Sequence, residues 1–195
     1  MDFKVLFNLF KDGIVKPEEV WKEFLSSSFK FEDVLKKYVA PIVIGVSLIT
    51  FILNMIFGYP SIHGAVRLSF FQTLWMAVGN IVSFFVFLYV FGWIGSFLAE
   101  KFGGDRDFQK AFSMLFFISF PSLAGQILGA FPVIGGILSL ILSVYSLVLL
   151  FKAFPIFLGV PKNHQVKVFI LFLITSFILG TLLAIVMGAL FSPKI

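Results

Sequence analysis

Residues 70–98 read FFQTLWMAVGNIVSFFVFLYVFGWIGSFL. The run holds no charged side chain. As a straight helix, its 29 residues would measure about 43 Å at ~1.5 Å per residue, more than a ~30 Å hydrocarbon core requires. It is apolar on every face. A barrel strand would alternate apolar and polar positions over ~10 residues, and this stretch does not. Four more apolar runs, at 39–57, 108–130, 133–155 and 166–191, also lack any Asp or Glu. The reading is an all-α polytopic membrane protein with five transmembrane helices.

Composition points the same way. Of the 195 residues, 59% are hydrophobic and only 13% charged, with a mean hydropathy of +1.05. A soluble domain of this length has too little interior to hide that much apolar surface. Lipid takes the role of solvent instead, and there the backbone must satisfy itself within helices. The chain has no cysteine, which excludes disulfides, a thiol nucleophile and thiolate metal ligands. The net charge of +5 is expected to report topology, not nucleic-acid binding.

Basic residues fall on alternate sides of the predicted spans. Seven lysines precede residue 39. Lys101, Arg106 and Lys110 flank the second connection, and Lys152, Lys162 and Lys167 the fourth. Only Arg67 and Lys194 fall on the opposite side, so the split is thirteen against two. The positive-inside rule then predicts an N-in, C-out arrangement in the cell membrane. No secretory signal peptide is expected, because residues 1–12 are interrupted by Lys4, Asn8 and Lys11.

Residues 1–38 are expected to form a cytoplasmic or interfacial segment, and 39–195 the transmembrane domain. The first segment balances seven acids against its seven lysines. Phe3, Leu6, Phe7 and Phe10 share one helical face. Pro17 suits the first turn of a second helix, with Glu18 and Glu19 near its positive end. These short amphipathic helices are expected to lie in the interface or to pack on the ends of the spans. Ser26–Ser28 reads as a linker, and Pro41 as the start of the first span. Pro121 falls inside the third run, where it removes a backbone bond to Phe117 and should break the helix. Residues 129–132, Gly-Ala-Phe-Pro, predict a tight turn into the fourth span.

Several of these features together resemble a known family. Gly103 and Gly104 open a short polar stretch before the third span. Pro121 follows in that span, then Pro132 and Gly135 at the turn, Tyr145 in the fourth span, and Gly159, Pro161 and Lys162 before the fifth. Residues 16–21, Lys-Pro-Glu-Glu-Val-Trp, resemble the short opening helix of such proteins. In this order and spacing, over roughly residues 16–190, the chain resembles the prokaryotic branch of the Yip-domain, or Ypt/Rab-interacting protein, family. The resemblance implies five spans with a cytoplasmic N-terminus. Eukaryotic members act with small GTPases, and a 38-residue segment is expected to leave little room for such docking.

Candidate sites divide into three groups. Asn80, Ser119, Pro121, Ser122, Gln126 and Tyr145 would either line a midplane cavity beside the helix break or tie helices together. Asn54 and Gln72 are further amides in or near spans. Gly103, Gly104, Asp105 and Asp107 form a loop that would contact a partner or cap the third span. Ser176, Gly180, Ala184 and Gly188 recur every four residues, a small-residue stripe that admits a close helix neighbour. His63 and His164 are read as solvated loop residues on opposite sides of the membrane. No catalytic, cofactor or metal motif is present, so a non-enzymatic role is expected. Expected partners are membrane lipid, a second copy or another membrane protein. The alternative is a small facilitative transporter of a lipid or small molecule with a midplane site near Pro121.

Overall fold

The computed structural model describes residues 3–27, 30–61, 64–131 and 134–191. Ser28, His63, Pro132 and Lys194, singled out above, lie outside them. Among the described residues, five helical stretches are long and apolar enough to cross a membrane.

Two amphipathic helices come first, α1 (Phe3–Val15) and α2 (Pro17–Ser26), with Pro17 and the two acids in the first turn of α2 as expected. The first span does not begin at Pro41. Helix α3 (Phe31–Val34) continues through a π turn (Leu35–Val39) into α4 (Ala40–Phe57). Proline lacks an N–H and its ring crowds the preceding turn. The wider π turn just ahead of Pro41 absorbs that misfit, so the helix runs on.

A short antiparallel hairpin follows, β1 (Tyr59–Ser61) with β2 (Gly64–Val66), Tyr59 opposite Val66. Gly58 enters it at φ 85°, where a Cβ would be strained. Helix α5 (Phe70–Lys101) opens with a capping box between Ser69 and Gln72. Gln72 is therefore a cap and not an intramembrane amide.

The third span breaks where proline chemistry demands. Helices α6 (Phe108–Ile118) and α7 (Phe120–Gly129) meet at Ser119, two residues before Pro121. The Ser119 hydroxyl donates to the Phe116 carbonyl at 2.7 Å, satisfying a group at the break. Helix α8 (Gly135–Leu158) instead runs straight past its own Pro155. The carbonyl that Pro155 leaves without an N–H is that of Phe151, and the Gln165 side-chain amide donates to it at 2.8 Å. Helix α9 (Lys162–Phe191) completes the bundle.

The broken span sits at the centre. Its apolar window is 72% buried, against 11% for α9. Helix α6 packs between α5 and α8, α7 against α8 and α4, and α9 against α5 and α8. Gly125 brings α7 and α8 together, because a Cβ there would meet the Ser139 backbone at 3.2 Å.

Packing is uneven along the bundle. The clasp end, which holds the connections around Gly103 and Gly159, has a dense aromatic core. Trp21, Phe112, Phe116, Phe117, Phe154 and Phe157 are all fully buried there. The amphipathic helices complete this core. Trp21 packs edge-on against Phe157, Phe24 against Phe117 and Phe10 against Phe120. Of the two placements expected for α1 and α2, the structure shows the one packed on the spans. The far side of α1 leaves Val5, Phe7 and Val15 exposed. The opposite, hairpin end is looser.

Candidate functional site

The looseness has a chemical pattern. Small residues on α9 leave space beside α5: a Cβ on Gly180 would meet only the tip of Phe91, at 3.9 Å. A hollow of about 370 Å³ opens there, lined by Asn80 and Ser83 of α5, Ser47 of α4, Gln126 of α7 and Ala184 of α9. An adjoining hollow of about 500 Å³ shares Asn80 and Gln126 and adds Thr50, Asn54, Tyr59 and Ser139. Among the described residues no charged side chain lines either one.

Two polar atoms in this groove have no partner. Thr50 is 7% exposed, and its Oγ1 is buried without a hydrogen bond, as is Asn54 Oδ1. Each such atom costs about 1–3 kcal/mol relative to a satisfied one. Asn80 is exposed in the middle of an otherwise apolar helix. Asn54 and Gln126 each lie three residues before the end of their helix, roughly 5 Å at ~1.5 Å per residue. Asn80 lies ten residues into α5, about 15 Å at ~1.5 Å per residue, so the polar lining runs from the hairpin end well into the bundle.

Of the six residues expected at a cavity, only Asn80 and Gln126 meet in it. Ser122 donates from its hydroxyl to Ser146 Oγ at 2.8 Å and from its backbone N–H to the same oxygen at 3.2 Å. Tyr145 donates to the Ile14 carbonyl at 3.0 Å, pinning the end of α1. Ser119 is used at the helix break, and Pro121 is buried behind it. The small-residue stripe borders open space, with Ala184 exposed. Gly180 and Ala184 line the groove, Gly188 lines a smaller hollow with Asn80, and Ser176 Oγ is buried without a partner. Ser47, Thr50, Ser83 and Ser139 escaped the sequence reading, since hydroxyls are common in spans and often bond their own helix.

The glycine loop builds a clasp. The Asp105 N–H donates to the Leu158 carbonyl at 2.7 Å, and the Gly104 N–H to the Ala99 carbonyl at 2.8 Å. Gly103 stands at φ 82° against Pro161, and Gly159 at φ 60° against the Asp105 carboxyl. Asp107 caps α6, accepting from the Lys110 N–H at 2.9 Å. Lys110 pairs with Asp105 at 3.2 Å and Arg106 with Glu100 at 3.1 Å. The loop thus ties the second and fourth connections together. His164 is not a solvated loop residue: it lies in the first turn of α9, half-buried against Phe102, with Nδ1 unpartnered. Among the described residues no cluster of three His, Cys, Asp or Glu is close enough to hold a metal ion.

Lys152 reaches Glu18 of α2 at 2.9 Å. Its ammonium, by hydrogen bond and by charge, holds the Glu18 carboxyl below its ordinary range. That stabilisation is present above the unfolded carboxyl pKa and is lost as pH falls through the lowered value. Both partners are about half exposed, so solvent screens the pair and it contributes little. Burial of Trp21 does more to hold the helix in place.

The model of the Yip1 domain matches residues 14–185, from the end of α1 to the last turns of α9. No curated protein and no solved structure matches the chain. The matched region takes in the Trp21 helix, the glycine clasp, the Pro121 break and all five long apolar helices, and the chain belongs to the Yip1 domain family of multi-pass membrane proteins.

Proposed function

We propose that the protein is a non-enzymatic component of the cell membrane that acts by binding and organising membrane constituents, with the groove around Asn80 as its binding site. In this reading residues 1–38 are the cytoplasmic and interfacial segment, residues 39–195 are the transmembrane domain, and the hairpin end faces out. The observation that carries it is the convergence of Asn80, Gln126 and the hydroxyl side chains of Ser47, Ser83 and Ser139 on a roomy hollow. An occupant that hydrogen-bonds to these side chains satisfies polar groups that lipid cannot.

Facilitative transport is the second reading, favoured by the same groove and by the discontinuous third span. Passage would need a path through the clasp end, where the fully buried phenylalanines stand. Neither hollow is lined by an acid or a histidine that would carry a proton. The residues of α2 that would have to recruit a small GTPase are engaged with the spans through Trp21 and Glu18.

The natural absence of cysteine makes both halves of the proposal testable. An Asn80→Cys variant is expected to react with a membrane-impermeant maleimide from one side only. Reaction from both sides would favour transport. For orientation, Arg106→Cys is the better probe than a cysteine at 104, where a Cβ would lie 2.5 Å from the Leu158 carbonyl. It should stay unlabelled in intact cells and label fully after lysis. Labelling from outside would invert the topology.

A further inference from the structure

The chemistry of the groove narrows its occupant. Its polar lining is amide and hydroxyl only: Asn54, Asn80 and Gln126 both donate and accept, and Thr50 and the serines do the same. Among the described residues that line it no cation stands to neutralise a phosphate, and an uncompensated charge in such a place is costly. Strand β1 closes the top through Tyr59 and Pro60, and the rings of Phe57 and Phe131 meet 5.3 Å apart nearby.

The side of the groove is apolar and faces lipid. Phe84, Phe87, Leu183 and Met187 run down from the polar ring, and no residue of α8 lines this part. The contacts between α8 and α9 described by ring pairs and hydrogen bonds fall at Phe151–Phe169, Phe154–Phe172 and Gln165–Phe151. Nearer the hairpin end α9 meets α5 instead, with the Trp75 indole N–H donating to the Leu190 carbonyl at 3.1 Å. The two helices diverge, leaving a cleft of acyl-chain character below a head-group-sized hollow. At ~30 Å³ per water, the upper hollow is far too large for one or two bridging waters.

We infer that the groove takes an uncharged lipid sideways from the leaflet at the hairpin end, its hydroxyl and carbonyl head against Asn54, Asn80 and Gln126 and its chain along Phe84, Leu183 and Met187. A diacylglycerol has this chemistry, and a charged or zwitterionic phospholipid head does not. The inference rests on the binding role proposed above.

The test uses the full chain in phosphatidylcholine vesicles. One set carries a photoactivatable diacylglycerol, another a photoactivatable phosphatidylcholine with the same chains. Ala184→Leu fills the groove, and Asn80→Val removes an amide from an exposed helix position; thermal midpoints check that both fold. The diacylglycerol probe is expected to label the α5 and α9 segments that line the groove, with labelling at least fivefold lower in either variant. The phosphatidylcholine probe should label weakly and without dependence on the variants. Equal, groove-dependent labelling by both probes would overturn the neutral-head assignment and leave the binding role standing. Labelling by neither probe that depends on the groove would overturn both.

Discussion

Alanine at Gly104 is expected to lower the unfolding free energy by about 2–4 kcal/mol, from overpacking and a lost backbone hydrogen bond together. The cause is a single methyl group. A Cβ at this position would lie 2.5 Å from the Leu158 carbonyl oxygen, 3.1 Å from a methyl of Val160 and 3.2 Å from the Ala99 carbonyl. Two of these neighbours are backbone and cannot turn aside. The clasp must open, and the Asp105 N–H then loses the Leu158 carbonyl. For a chain of this length the thermal midpoint should fall by roughly 5–10 °C. Gly45→Ala and Gly136→Ala are the controls, since a Cβ there meets nothing within 4 Å. Both sit in helices, where alanine is favoured over glycine by about 0.5–1 kcal/mol, so neither should lose stability. Equal loss in all three variants would remove the clasp from the account.

Sequence and structure agree most where the governing physics is local. Uninterrupted apolar runs located the five spans because the bilayer fixes their length. Pro121 located the break because a missing N–H acts within its own turn. Pro155 shows the limit of that logic. The same chemistry left the carbonyl of Phe151 without its N–H partner, yet the helix continues because Gln165, on the next span, supplies the missing bond. Pro41 was misleading for a similar reason, since the preceding π turn relieves its ring. No sequence pattern announces either remedy.

The candidate site was half legible. Asn80 and Gln126 stood out as amides in apolar helices, and they do line one groove. Ser122 and Tyr145 looked equivalent to them but are held by Ser146 and Ile14. Which hydroxyl finds a partner depends on the angle between helices and on where α1 returns to the bundle, and spacing along one chain encodes neither. The Gly180–Ala184 stripe was read as a place for close approach, yet a Cβ at Gly180 would meet only the tip of Phe91, at 3.9 Å, and the stripe borders an open groove.

Truncating Trp21 to alanine should release the amphipathic helices from the bundle. The indole is fully buried and packs on Phe157 at 5.7 Å between centroids, next to Phe24 on Phe117 at 4.8 Å. Large-to-small changes of this kind cost about 3–5 kcal/mol. The lower value applies here, because a freed α2 retains an apolar side for the head-group region. About 3 kcal/mol raises the population of the detached state on the order of a hundredfold, at 1.4 kcal/mol per factor of ten. The Glu18–Lys152 pair, exposed to solvent and screened by it, cannot compensate. Limited trypsin digestion reads this directly, since Lys11 and Lys22 lie on either side of the contact and neither precedes a proline. Cleavage there should accelerate strongly in Trp21→Ala, while the spans stay intact. Trp21→Phe separates packing from hydrogen bonding. The indole N–H has no partner, so phenylalanine gives up ring volume but no bond, and should fall well short of the alanine effect. If Trp21→Phe were as damaging as Trp21→Ala, a polar role for the indole would replace the packing one.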